Sequence, residues 1–132
     1  MPDKKKILIV DDEVDFVVIL KERLEFEGFE VREAFEGATG LEHMRREAFD
    51  VVLLDIMMPK MDGFEVLRTI QREGGTLAQT PIIVVTAYGR EFLDEECKAL
   101  GPVQFIRKPF HPETFLKMIQ EVLAGKSGSV HG

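Results

Sequence analysis

Three short runs of consecutive β-branched or leucine residues set the terms for this chain: Ile7 to Val10, Val51 to Leu54 and Ile82 to Val85. Each is too short for a helix and shows no polar face, the mark of a strand buried on both sides in a helix-covered parallel sheet. Two weaker runs extend the set. Glu30 to Ala34 alternates in polarity around Val31, as a half-exposed edge strand does, and Gln104 to Ile106 is a short run with an aromatic at its centre. The stretches between carry helical spacing. Phe16, Leu20 and Leu24 share one face before Gly28; Ala38, Leu41 and Ala48 mark a second helix; Asp62 caps a third with Val66, Leu67 and Ile70 inward. A fourth helix is expected near Glu91 to Leu100. The last opens at Pro112 and places Phe115, Leu116, Ile119 and Leu123 at core spacing. The Gly74-Gly75 connection reads as a flexible loop.

Alternating strands and helices imply an α/β fold, a doubly wound five-stranded parallel sheet with helices on both faces. The continuously apolar runs belong at the centre and the alternating one at an edge, so the expected strand order is 2-1-3-4-5. At 132 residues, one domain is expected, covering 1–124, with the small polar stretch 125–132 as a tail or linker and no output domain attached. The longest apolar runs, such as Phe16 to Leu20, fall far short of the roughly 20 residues that a membrane helix needs. The basic start, Met1 to Lys6, leads into an apolar stretch that ends at once in Asp11 and Asp12, which is not the form of a signal peptide. A single cysteine, Cys97, excludes an internal disulfide and a cysteine-based zinc site, so a cytoplasmic protein is expected. With 17 basic against 24 acidic residues and a net charge of −7, nucleic-acid binding by this segment is not expected either.

The chemistry lies just past the carboxyl end of each apolar run. Asp11 and Asp12 come after the first, Asp55 after the middle run, Thr86 after the next and Lys108 after the last. In an open parallel sheet these positions line the crevice at the carboxyl ends of the strands, where the strand order reverses. Taken singly, each has an ordinary explanation: Asp12 as a helix cap, Asp55 or Thr86 as a turn residue, Lys108 as a solvated charge. Three carboxylates, a hydroxyl and an ammonium at one sheet edge are harder to obtain from turn chemistry. Two carboxylates about 5 Å apart repel by roughly 3 kcal/mol at an effective dielectric near 20, so the cluster calls for a cation. An all-oxygen ligand set with few protein donors suits magnesium better than calcium, and no His or Cys pair offers a transition-metal site. A carboxylate in such a site, with a lysine and a threonine beside it, has the makings of an aspartyl nucleophile for phosphoryl transfer, and Asp55 on the middle strand is the candidate.

The segments Ile7-Leu8-Ile9-Val10-Asp11-Asp12-Glu13, Val51-Val52-Leu53-Leu54-Asp55-Ile56-Met57-Met58-Pro59, Asp62-Gly63, Thr86-Ala87 and Lys108-Pro109-Phe110 occur in this order. Together they resemble the receiver domains of two-component response regulators, over about residues 5–124, in the manner of the chemotaxis regulators and their flavodoxin-like fold. The resemblance implies that Asp11, Asp12 and Asp55 hold magnesium, with the backbone carbonyl of Met57 as a further ligand. It implies that Asp55 accepts a phosphoryl group from a histidine kinase or phosphotransfer protein, and that Thr86 and Lys108 bind that group. Phe105 is then the aromatic that changes rotamer with Thr86 on activation, presenting a surface made by the fourth helix, the fifth strand and the last helix to a downstream protein or output domain. The Lys108-Pro109 bond is expected to be cis. Such a domain catalyses only its own phosphorylation and dephosphorylation. Two other classes share part of the pattern. A magnesium-dependent hydrolase with an aspartyl nucleophile would carry a second acid two residues after Asp55, where Met57 stands, and a cap insertion for its substrate. A binding module that had given up phosphorylation would have lost one of the acids or Lys108.

Overall fold

In the computed structural model, which describes residues 4–58, 60–86 and 103–125, the three continuous apolar runs form the three central strands of a five-stranded sheet. In chain order the elements are β1 (Lys6–Val10), α1 (Val14–Phe26), β2 (Glu30–Ala34), α2 (Gly37–Arg46), β3 (Val51–Asp55), α3 (Gly63–Glu73), α4 (Gly75–Gln79), β4 (Ile82–Thr86), β5 (Val103–Arg107) and α5 (Pro112–Leu123). All neighbouring strands are parallel and their order is β2-β1-β3-β4-β5, as the patterning requires. The helix expected at 91–100, together with Ala87, Cys97 and the tail from 126, lies outside the described residues.

Because side chains alternate across a strand, each central strand feeds two cores. Leu8, Val10, Val52, Leu54 and Val84 pack with Leu41 and Met44 of α2 and Val66, Leu67 and Ile70 of α3. Ile7, Ile9, Val51, Leu53, Ile83, Val85 and Ile106 pack on the other face with Val17, Leu20 and Leu24 of α1 and Phe115, Leu116, Met118 and Ile119 of α5. Full burial of such a side chain stabilises by roughly 1.5–3 kcal/mol, so both layers are needed to hold the sheet against its helices. Among the described residues no helix is long and apolar enough to cross a membrane.

Two local expectations need correction. In α2 the inward residues are Gly37, Gly40, Leu41 and Met44, while Ala38 is exposed and Ala48 lies beyond the helix, also exposed. The reason is close packing: a Cβ on Gly40 would stand 2.8 Å from Val10 Cγ2, so the helix approaches β1 through its smallest residues rather than its alanines. The supposed loop at Gly74-Gly75 is a turn at positive φ that leads directly into the short helix α4, whose Leu77 packs against the α2/α3 core. At the other helix ends the punctuation holds. Asp62 Oδ1 accepts the Glu65 amide at 2.9 Å, and Pro112 stands in the first turn of α5 with His111 as N-cap.

Candidate functional site

Parallel pairing sets the site. Ile7 to Val10 of β1 align with Val51 to Leu54 of β3, and Asp55 aligns with Val85 of β4, so Asp11, Asp12, Asp55 and Thr86 emerge side by side at the carboxyl edge. Thr86 aligns with Arg107 of β5, and the Lys108 amide donates to the Thr86 carbonyl at 2.8 Å, which continues the ladder one residue further and carries the lysine to the same edge. The Lys108-Pro109 peptide is cis, as expected.

Asp11, Asp55 and Thr86 are buried, and Asp12 is half-buried. One carboxylate oxygen each from Asp11, Asp12 and Asp55 lies within 4.8 Å of the others. Local hydrogen bonds orient two of them: Asp11 Oδ1 accepts the Glu13 amide at 2.9 Å, and Asp55 Oδ1 accepts the Met57 amide at 3.0 Å. Asp12 is not the helix cap, because Glu13 is the N-cap residue of α1, and the Glu13 side chain makes no capping bond. The loop after Asp55 folds back under the strand. The Gly63 amide donates to the Ile56 carbonyl at 3.0 Å, and a Cβ at residue 63 would come within 2.6 Å of the Asp55 carbonyl oxygen. Gly63 therefore lets the start of α3 sit against the backbone of the central carboxylate.

Lys108 reaches into the cluster. Its Nζ stands 2.9 Å from Asp11 Oδ2, 3.6 Å from Asp55 Oδ2 and 2.5 Å from Glu13 Oε1. It also lies 4.5 Å from the centroid of the Phe16 ring. Burial pulls the Lys108 ammonium toward deprotonation, but its hydrogen bonds to Glu13 and Asp11 and the charges of Asp11 and Asp55 outweigh that and hold its pKa above the ordinary value. Asp55 moves the other way from most paired acids. Burial and the neighbouring Asp11 charge push its carboxyl up to about 6, Asp12 adds to the push, and the Met57 amide and Lys108 only partly oppose it. Apart from the Lys108 ammonium, the buried Asp11 Oδ2 has no partner among the described residues.

These features fit a hard divalent cation: three carboxylates clustered at the ends of two adjacent strands, one lysine ammonium facing them, and a central acid that burial and its neighbours disfavour as an anion. Of the residues expected at the site, the structure brings Asp11, Asp12, Asp55 and Lys108 together, with Thr86 at the neighbouring strand end. Met57 stands two residues beyond Asp55, its side chain 53% exposed at the rim. Phe105 is not in the cluster. It is half-buried on β5 and packs toward the α2/α3 core, with Val84 as its partner on β4. Sequence reasoning gave no role to Glu13 and read Phe16 only as core. Glu13 carried a signal in its place, directly after the acid pair at the head of α1.

Comparison with known proteins agrees with this geometry. The family model "Response regulator receiver domain" matches residues 7–120. Protein PilH of Pseudomonas aeruginosa is 39% identical over 120 residues, covering 91% of this chain and 98% of PilH. The transcriptional regulatory protein CpxR of Escherichia coli is 36% identical over 89% of this chain but only 49% of its own length; the chain spans about half the length of several such curated relatives. Among solved structures, the chemotaxis protein CheY4 of Vibrio cholerae superposes with a TM-score of 0.85 at 34% identity, covering 92% of this chain and all of that one. Sheet order, helix placement and sequence thus agree, and the chain belongs to the response regulator receiver domain family, the modules of phosphorylation-mediated signalling.

Proposed function

We propose that Asp55 is the phosphoacceptor of this receiver domain, and that it takes its phosphoryl group from a histidine kinase or phosphotransfer protein in the cytoplasm. The observation that carries the reading is the set of buried acids on β1 and β3 faced by one lysine from the end of β5. Asp11, Asp12 and Asp55, with the Met57 backbone carbonyl, are the groups that would hold a magnesium ion. Such an ion supplies positive charge to a phosphoryl group in transfer.

The chain's own residues then have distinct tasks. Asp55 offers a carboxylate oxygen in line with the incoming phosphorus, held in place by the Met57 amide on its other oxygen. Lys108 places an ammonium within reach of both Asp11 and Asp55, where it neutralises charge on the phosphoryl oxygens. Thr86, buried at the adjoining strand end, offers a hydroxyl to one of those oxygens. A shift of Thr86 toward the phosphoryl group vacates space beside β4 that Phe105 on β5 can enter, a two-state change that alters the surface offered by β5 and α5 to a downstream protein or output domain. The domain thereby acts as a switch rather than as an enzyme on a separate substrate.

Incubation with acetyl phosphate and magnesium, followed by intact mass, tests the reading. The parent protein gains one phosphoryl group and Asp55→Asn gains none. Catalytic turnover of phosphate without a modified protein, or modification that persists in Asp55→Asn, overturns it.

A further inference from the structure

Lys108 is held on two further sides by groups that play no part in metal binding. Glu13 Oε1 accepts a hydrogen bond from its Nζ at 2.5 Å, closer than either site carboxylate, and the Phe16 ring lies 4.5 Å beneath it. Phe16 is itself braced. Its ring meets Phe110 edge-on at 5.6 Å, and Phe110 meets the fully buried Phe115 at 5.8 Å, so a line of aromatic rings runs from the ammonium into the α1/α5 core. Glu13 is anchored differently. Its backbone amide is fixed by Asp11 Oδ1, whereas its side chain is 62% exposed and has no helix-capping bond to keep it in place.

A lysine ammonium has three protons; Glu13 and Asp11 stand within hydrogen-bond distance of it, and Asp55 at 3.6 Å adds an ion pair. A phosphoryl group on Asp55 brings new oxygens that need the same donor. The ring, braced by Phe110, and the exposed carboxylate then differ in effect. The ring stabilises the ammonium wherever it sits above the aromatic face. The carboxylate stabilises it only in the resting position.

We infer that Glu13 and Phe16 are positioning residues for Lys108 with opposite effects on the phosphorylated state: Glu13 is a resting counter-ion that competes with the phosphoryl group, and Phe16 is a fixed aromatic support that keeps the ammonium at the site. This rests on the reading of Asp55 as the phosphoacceptor. When phosphorylation occurs, Lys108 transfers its hydrogen bond from Glu13 to a phosphoryl oxygen, and Glu13 is released to solvent with no bond made or broken beyond that exchange.

The test is a titration of the full chain with beryllofluoride, a phosphoryl mimic, at saturating magnesium, followed by nuclear magnetic resonance. Glu13→Gln binds the mimic about two- to fivefold more tightly than the parent, the range expected for loss of one exposed competing ion pair. Phe16→Leu binds it more weakly, and Phe16→Tyr, which keeps the aromatic face, binds it as the parent does. In a Lys108→Met background the Glu13→Gln gain disappears, because it acts through the ammonium; a gain that persists there is plain charge repulsion and overturns the inference. A second readout does not depend on affinity. The Lys108 ε-methylene protons are shifted upfield by the Phe16 ring in the parent and in Glu13→Gln, and lose that shift in Phe16→Leu. Equal affinities for the parent and both variants, or an unshifted ε-methylene in the parent, overturns the inference while leaving Asp55 as the acceptor. Failure of the parent to bind the mimic at all overturns both.

Discussion

The two ends of the sheet handle charge in opposite ways. At the amino end, Lys6 Nζ pairs with Glu47 at 3.0 Å, Arg32 pairs with Glu30 at 2.8 Å and with Glu47 at 3.4 Å, and the Lys6 amide donates to Asp50 at 2.8 Å. These groups are partly exposed, and each cation among them has its own carboxylate partners. The hydrogen bond from Lys6 pulls the Glu47 carboxyl below its ordinary value against the cost of burial, with smaller help from the Arg32 and Lys6 charges. At the carboxyl end, Asp11, Asp55 and Glu13 share Lys108 as their ion-pair partner, Asp12 stands beside them, and Asp55 is pushed up to about 6. One end is satisfied by the chain alone; the other is left short of positive charge, so what arrives from solution has something to stabilise. The difference separates charge paired within the fold from charge left in excess.

Magnesium should give the largest effect. At a hundred times its dissociation constant a ligand bound only to the folded state stabilises by about 2.7 kcal/mol. Thermal melts should show that gain undiminished in Glu47→Gln and reduced by more than half in Asp55→Asn. An equal gain in Asp55→Asn would erase the contrast between the two ends. Next in size is the metal-free protein itself. In the presence of a chelator Asp55→Asn should be about 1–2 kcal/mol more stable than the parent, the carboxylate repulsion less the lost attraction to Lys108. Denaturant unfolding checks it, and a less stable Asn variant would contradict the account.

Acidity sharpens the comparison, because the two carboxyls depart from their ordinary values in opposite directions. For Asp55 the folded state holds its proton more tightly than the unfolded chain. Its stabilising contribution is therefore complete below about 3.8 and lost as pH rises through about 6. For Glu47 the contribution is present above the ordinary value of 4.5 and lost as pH falls through its lower folded value. In chelator, the stability of the parent relative to Asp55→Asn should fall from about pH 4 to about pH 7, and that of the parent relative to Glu47→Gln should rise as pH climbs from the acid side to the ordinary value of 4.5. Matching slopes for the two pairs would remove the distinction. The smallest effect expected is the cost of Glu47→Gln at neutral pH, about 0.2–1 kcal/mol for a partly exposed pair, read from the same unfolding curves.

Much of this arrangement is legible in the residues because it is local. Asp11, Asp55, Thr86 and Lys108 each stand at or just beyond the end of a strand, so once the runs are paired in parallel they must meet. Asp62 as a cap and Pro112 in a first helical turn are equally local. What escapes depends on close approach or on where a long side chain goes. The inward face of α2 is carried by Gly37 and Gly40, which hydrophobic spacing does not score, and Gly40 is needed only because Val10 lies against it. Helix α4 has five residues, begins at a glycine with positive φ and owes its place to Leu77 packing on the core. Glu13 meets a lysine 95 positions away, and its place directly after the acid pair does not by itself name that partner.

The sheet order also divides the site between the two parts of the chain. β1 precedes the other strands in the chain yet lies inside the sheet, flanked by β2 and β3, while Lys108 comes after β5 at the far edge. During synthesis Asp11, Asp12 and Asp55 are therefore all made before the lysine that pairs with them. The counter-charge that need not wait for translation is an ion from the surrounding solution. Charge balance in the first half of the chain is thus set by the ionic conditions of synthesis until Lys108 is made.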